Sequence, residues 1–183
     1  MNKTELRKEM RVLRDGLTDR DAKSARICRN LQEMPEYAEA KCVMMYSPVR
    51  SEVDVKPLIK RALADGKRVV LPSCRLNGEM DAVEYTGGET MRIGAFGSKE
   101  PVGEVVDPGQ IDLVVCPSLA CDARGGRIGY GKGYYDRYLE KVHAFLAAVC
   151  YTECIVDCVP MDEYDKTMMA VITQAGVMRP EGV

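Results

Sequence analysis

The stretch Gly125-Gly126-Arg127-Ile128-Gly129-Tyr130-Gly131-Lys132-Gly133-Tyr134-Tyr135-Asp136 constrains this chain more than any other. Five of its twelve residues are glycine, with one arginine and one lysine among them. Glycine admits positive φ and lets backbone approach a ligand closely, so successive N–H groups can line a concave anion site. The stretch enters residues 134–141, whose spacing predicts a helix, and that helix's N-terminal donors and positive dipole end would face the same group. An apolar run at 111–116, read as a strand, lies eight residues upstream. Strand, glycine loop and helix in that order call for a phosphate-binding loop in an α/β fold.

The spacing nearly matches the Walker pattern G-x-x-x-x-G-K-[ST] at Gly126, Gly131 and Lys132. Gly133, however, stands where a magnesium-binding hydroxyl is required, and a true P-loop follows its strand directly. Phosphate chemistry without a P-loop fold is therefore expected. The competing reading is a flexible glycine-rich loop with one solvated lysine.

The remaining pattern supports a sheet. Residues 2–16 read as an amphipathic helix, with Asn2 and Glu5 at capping-box spacing and Leu6, Met10, Leu13 and Leu17 as its apolar stripe. Lys3, Arg7, Arg11 and Arg14 form a basic face, either solvated or reaching over a polyanion held by the glycine loop. A second helix is expected from Thr18 to about Met34. Beyond Pro35, strands at 42–46, 68–72, 80–86, 112–116, 147–151 and 169–173 alternate mostly with helical segments. Asp54 is placed as a helix cap, Gly66 as a helix end and Asn77-Gly78 as a tight turn. Residues 92–104 carry few regular signals. The expected fold is one three-layer α/β domain over residues 1–183, with a largely parallel twisted sheet flanked by helices.

Composition narrows the function. A chain of 183 residues, 46% hydrophobic and 30% charged, suits a soluble domain with a sizeable core. A net charge of −2 gives no general attraction to nucleic acid or to an anionic membrane, and no run reaches the roughly 18 apolar residues that span a bilayer. A cytoplasmic enzyme, monomeric or weakly dimeric, is expected. The eight cysteines include no C-x-x-C pair and His143 is the sole histidine, so the thiols are expected to be buried or half-buried in a reduced compartment and not metal ligands. A single histidine, placed at a helix end, also excludes most triads and dyads. Lysine, arginine, backbone N–H groups and metal-holding carboxylates remain, which is the equipment of phosphoryl transfer. Asp136 is the first metal candidate, with Asp162 or Asp165 to complete the site. Tyr130, Tyr134, Tyr135, Tyr138 and Tyr151 could stack on a purine or pterin, one of Tyr134 and Tyr138 being core.

The run Arg127-Ile128-Gly129-Tyr130-Gly131-Lys132-Gly133-Tyr134-Tyr135-Asp136-Arg137 closely resembles the signature of the 5-formyltetrahydrofolate cyclo-ligase family. The similarity extends to Lys3-x-x-x-Arg7, Glu52-Val53-Asp54, Gly97-x-x-Glu100-Pro101, Pro117 and Val171-Ile172-Thr173. The resemblance implies an ATP- and Mg²⁺-dependent ring closure of 5-formyltetrahydrofolate to 5,10-methenyltetrahydrofolate through a phosphorylated formyl oxygen. It implies ATP contacts from Lys3, Arg7, Arg127, Ile128, Gly129, Tyr130, Gly131, Lys132, Gly133, Tyr134 and Tyr135. Folate contacts would come from Glu52, Tyr130, Gly131, Lys132, Gly133 and Tyr134, and metal contacts from Asp136 and Asp165. Lys132 and Arg127 are the catalytic candidates. The chain departs from the family pattern at Ser118-Leu119-Ala120-Cys121-Asp122, Glu153-Cys154, Tyr164-Asp165 and Gln174. Two alternatives stand beside this reading. One is another ATP- or phosphometabolite-using enzyme on the same scaffold, and the other an RNA-binding module in which Gly126-Arg127-Ile128-Gly129 acts as a GXXG clamp.

Overall fold

A computed structural model describes residues 1–88, 90–94 and 97–181. Helix α1 (Lys3–Asp15) begins on the expected capping box: Asn2 Oδ1 accepts from the Thr4 and Glu5 amides, each at 3.0 Å, and Glu5 Oε2 accepts from the Asn2 amide at 2.9 Å. Leu6 and Met10 are buried, with Leu13 and Leu17 packed beside them. Helix α2 (Arg20–Gln32) starts later than the Thr18 cap predicts, after Asp19 in a left-handed conformation with φ 56° and no side-chain cap bond. It also ends before Met34, because Pro35 opens a short helix α3 (Pro35–Glu39) and pushes Met34 into extended backbone.

Strand β1 (Cys42–Met44) is shorter than the apolar run at 42–46, although the Met45 amide still bonds Val70 O at 3.0 Å. Helix α4 (Lys56–Ala64) follows; its N-cap is Val55, one residue past the expected Asp54, whose Oδ1 accepts from Lys56 N at 3.0 Å, and Gly66, φ 76°, lies just beyond its end. Strand β2 (Arg68–Cys74) turns through Asn77-Gly78, where Gly78 has φ 88°, into β3 (Met80–Glu84).

The stretch 92–104, read as carrying few regular signals, lies largely within a two-stranded ribbon of β4 (Met91–Ile93) and β5 (Lys99–Pro101), followed by the edge strand β6 (Val105–Val106). These strands are too short for a periodicity to register. Strand β7 (Leu113–Pro117) leads into a hairpin of β8 (Ala120–Cys121) and β9 (Arg127–Ile128), then α5 (Tyr134–Leu139), β10 (Phe145–Val149), β11 (Ala170–Thr173) and β12 (Gly176–Met178).

The eight-stranded sheet has the order β12-β11-β10-β7-β1-β2-β3-β6. Its five central strands run parallel, and the three added at its edges, β12, β3 and β6, pair antiparallel. Val43, Met44, Leu113, Val114, Val115 and Ala147 are at most 1% exposed, as expected for parallel strands covered by helices. Helix α2 packs on β11 and β12 and against α4, which lies on β2, while α5 lies against β3. One hydrophobic cluster runs from Leu6 of α1 to Ile172 of β11. No helix among the described residues is long and apolar enough to cross a membrane.

Candidate active site

The glycine stretch divides into two parts with different work. Gly125 and Gly126 close the β8–β9 hairpin around buried Asp122. Its Oδ1 accepts from the Arg124 and Gly126 amides at 2.9 Å, and its Oδ2 from the Val159 amide at 2.7 Å. A Cβ on Gly125, φ 81°, would sit 2.3 Å from the Met168 carbonyl oxygen. These two glycines are structural, which corrects the expectation of one cradle from 125 onward. The part that opens on the cleft is 129–133. Gly131 and Gly133 have φ 89° and 69°, Gly133 caps α5, and Gly129 O accepts from Arg7 Nε at 3.0 Å. Helix α5 ends at Leu139 and not at 141, since the chain must turn into β10.

Beyond the C-terminal ends of β1 and β7 this loop opens into a cleft of about 810 Å³. Lys3, Arg7, Glu52, the unbroken run from Arg127 to Asp136, and Asp165 all line it. Arg11, on the basic face expected to reach over the glycine loop with Lys3 and Arg7, lines the cleft as well. Further lining residues were not singled out as site candidates from the sequence: Tyr46, Ser47, Arg50, Cys74, Ser98, Lys99 and Arg137. Tyr46, Ser47, Arg50 and Ser98 come from loops, Cys74 from the end of β2, Lys99 from β5 and Arg137 from α5, and only the fold brings them together.

Several expected ligand groups already hold one another. Lys3 Nζ bridges Asp162, at 2.6 Å, and Asp165. Desolvation lowers the pKa of that amine, but the hydrogen bonds and charge of the two aspartates outweigh it and leave the pKa raised. Arg127 is buried, donating from Nη1 to Pro117 O and from Nη2 to Asp136 Oδ1, each at 3.0 Å, while its Nε has no partner. Asp136 and Asp165 thus have one carboxylate oxygen each facing a cation. Among the described residues no three His, Cys, Asp or Glu side chains gather as a metal site. Lys132 is exposed and makes no ion pair among the described residues.

The second half of the cleft is aromatic and carboxylate-bearing. Glu52 is 8% exposed, and Oε2 accepts from the Val49 amide at 2.9 Å. Burial raises its pKa, against the opposing pull of the Val49 amide, Arg14 and the Tyr130 hydroxyl. The Tyr130 ring lies between Arg11 and Arg14, each guanidinium carbon 5.5 Å from its centre. Tyr134 lines the cleft and donates to Arg75 O at 2.7 Å, whereas Tyr138 is core. The Tyr135 hydroxyl is buried without a partner. His143 is exposed at the turn after α5. All eight cysteines are free, and seven are buried or half-buried; Cys158 is exposed, contrary to expectation, because it lies on the surface loop before Pro160.

Comparison with known proteins agrees with the geometry. The profile of the 5-formyltetrahydrofolate cyclo-ligase family matches residues 1–174. The chain belongs to this family. A probable 5-formyltetrahydrofolate cyclo-ligase of Schizosaccharomyces pombe is 31% identical over 178 residues, covering 87% of either chain. The 5-formyltetrahydrofolate cyclo-ligase of Escherichia coli is 30% identical over 151 residues, covering 78% of this chain and 83% of the relative. The NMR structure of Aquifex aeolicus 5,10-methenyltetrahydrofolate synthetase superposes with a TM-score of 0.87 at 33% identity, covering 100% of this chain and 95% of that one. The mostly parallel sheet flanked by helices is thus the fold of the cyclo-ligases. The family profile spans the departures noted above, of which Cys121 and Cys154 are fully buried and outside the cleft.

Proposed function

We propose that this chain closes the ring of 5-formyltetrahydrofolate to 5,10-methenyltetrahydrofolate, converting ATP to ADP and phosphate. The observation that carries this reading is that one cleft is lined together by the 129–133 loop, the cations of α1, buried Glu52 and the tyrosines. A polyanion fits the first half and a planar hydrogen-bonding ring the second. In the proposed reaction the formyl oxygen attacks the γ-phosphorus and the bond to ADP breaks. N10 then attacks the activated formyl carbon and loses its proton, and the C–O bond breaks with release of phosphate. No step calls for a histidine.

The residues divide accordingly. Lys132, the uncommitted cation of the loop, would neutralise charge growing on the transferred phosphoryl group. The 129–133 amides and Arg7 would hold the phosphates. Arg127, enclosed between Pro117 O and Asp136, would hold the loop's shape and bias its potential without leaving its pocket. Glu52 would accept hydrogen bonds from the pterin ring. Mg²⁺ suits the remaining carboxylate oxygens of Asp136 and Asp165, because this ion is usually bound by one or two carboxylates together with substrate phosphates. It would supply charge neutralisation between the phosphates. A reduced, cytoplasmic setting is supported by the eight free thiols.

The two alternatives fare differently. Another phosphometabolite enzyme on this scaffold gains no support at Cys121 or Cys154, which do not reach the cleft. An RNA clamp at Gly126–Gly129 is disfavoured because Arg127 and Ile128 form β9 and are 6% and 2% exposed. The test is to mix the purified protein with 5-formyltetrahydrofolate, Mg²⁺ and ATP at neutral pH and follow the near-ultraviolet absorbance of the methenyl product. Product formation with matching ADP release is expected. Absence of both at every folate concentration refutes the reading.

A further inference from the structure

Arg14 belongs to the basic face of α1 by sequence, yet it is 2% exposed. Each of its three nitrogens engages a different segment of chain. Nε donates to Ser51 Oγ at 3.1 Å, in the loop between β1 and α4. Nη1 donates to Ser118 O at 3.0 Å, directly after β7. Nη2 donates to the Tyr130 hydroxyl, in the glycine loop. Glu52 lies close enough to that hydroxyl for each group to shift the other's titration. Ser51 Oγ in turn donates to Asp15, which neighbours Arg14 in the chain.

A guanidinium is a poor choice for filling space. Burying it means desolvating a full charge, and an apolar side chain of similar volume often serves stability as well or better. Among the described residues no ion pair joins Arg14 to a carboxylate; Asp15 is reached only through Ser51, and Glu52 lies on the far side of the Tyr130 hydroxyl. What the planar fork supplies that leucine or methionine cannot is a set of donors at fixed mutual angles. Those donors are aimed at the loops carrying the two halves of the cleft. Arg14 also sits in the last turn of α1, where the helix dipole favours a cation.

We propose that Arg14 is a positioning residue that couples the two halves of the cleft, so that the glycine loop and the Glu52 loop take up their working geometry together. Lys3, Arg7 and Arg11 of the same helix line the cleft directly, whereas Arg14 acts behind it, through Tyr130 and Ser51. Helix α1 therefore does two jobs, presenting cations from its first turns and locking both loops from its last. The nucleotide-and-folate naming of the two halves rests on the function proposed above; the mechanical coupling does not.

The test separates these. Amide hydrogen exchange is compared in ligand-free wild type, Arg14→Gln, Arg14→Lys and Tyr130→Phe. In Arg14→Gln, residues 47–53 and 129–133 are expected to exchange about tenfold faster together, with the amides of β1, β7 and β10 unchanged. Acceleration confined to α1, or to only one loop, overturns the coupling. If Arg14→Gln does not fold, Tyr130→Phe decides. It keeps the ring and removes only the hydroxyl, and is expected to loosen residues 47–53, some eighty positions away; wild-type exchange there overturns the proposal.

The second readout is the pH profile of 5-formyltetrahydrofolate binding. Glu52 faces Arg14 from α1, Tyr130 from the glycine loop, Tyr46 after β1 and Tyr135 of α5. Of these only Arg14 is a cation. Arg14→Gln is expected to move the acid limb of binding upward and Arg14→Lys to restore part of it, a pattern that a purely structural arginine does not produce. An unmoved limb in a folded Arg14→Gln counts against the proposal. Should wild type neither bind the formylfolate nor form product, the functional reading fails and the exchange experiment still judges Arg14.

Discussion

Arg127 and Asp136 close the glycine loop on itself, the guanidinium Nη2 donating to the carboxylate Oδ1 at 3.0 Å across nine positions of sequence. The arginine side chain is 4% exposed and the aspartate side chain 27%. Removing the carboxylate leaves a buried charge with the Pro117 carbonyl and the face of the Tyr135 ring but no opposing charge bonded to it among the described residues. Asp136→Ala is therefore expected to destabilise the fold by ~2–4 kcal/mol, in addition to any effect on metal binding. Asp162→Ala, at the rim, should leave the urea midpoint where wild type has it. Equal midpoints for the two variants would show that the Arg127–Asp136 pair contributes nothing to the loop.

Lys132 is the complementary case. Its side chain is exposed and without an ion-pair partner among the described residues, so Lys132→Ala is expected to change stability by less than about 0.5 kcal/mol. Turnover should nevertheless fall by ~10²-fold or more, because a cation facing the transferred phosphoryl group acts chiefly in the transition state. Single-turnover rates with ATP and 5-formyltetrahydrofolate measure this. Retained turnover would remove Lys132 from the mechanism while leaving the function intact.

The two kinds of glycine should respond differently to alanine. At Gly125 the added methyl meets the Met168 carbonyl at 2.3 Å on a backbone with φ 81°, so Gly125→Ala should cost ~3 kcal/mol or more and lower thermal stability. At Gly131 the nearest atoms, at 3.0 Å, belong to the flexible end of Arg7. Gly131→Ala should cost about 1 kcal/mol of backbone strain. Its main effect should be to displace Arg7 from Gly129 O and weaken ATP binding about tenfold, which calorimetry reads directly.

Burial raises the Glu52 pKa above the ordinary glutamate value, and its amide, arginine and tyrosine neighbours only partly counter this. If the ionised carboxylate is the form that accepts hydrogen bonds from the substrate ring, affinity is full above the raised pKa and lost as pH falls through it. Binding of 5-formyltetrahydrofolate should therefore weaken on acidification before ordinary surface carboxylates titrate. Glu52→Gln should bind more weakly at neutral pH and lack that acid limb. A limb that persists in Glu52→Gln would assign it to another group.

Much of the architecture was legible because the signals are local. The α1 cap depends on Asn2 and Glu5, three residues apart, and the β2–β3 turn on Asn77-Gly78. The central strands announce themselves as apolar runs because parallel strands are covered on both faces. Where elements were missed, the ribbon β4–β5 and the edge strands β6 and β12, each has two or three residues, and their pairing energy comes from partners elsewhere in the chain. The start of α2 was misplaced because a hydroxyl at cap spacing was read as a cap, whereas the turn is made by Asp19 in a left-handed conformation.

Sequence by itself determined an α/β chain with a glycine-rich loop before a helix, since glycine content and periodicity are properties of neighbouring residues, and the run from Arg127 to Arg137 carried the resemblance to the cyclo-ligase family. Only the tertiary structure decided what each residue of that loop does. It made Gly125 and Gly126 a hairpin turn, joined Lys3 to Asp165 across 162 positions, and buried Arg14 against Tyr130 across 116. These pairings depend on which loops meet beyond the ends of the central strands. The order of strands in the sheet sets that meeting, and it is written in no single stretch of sequence.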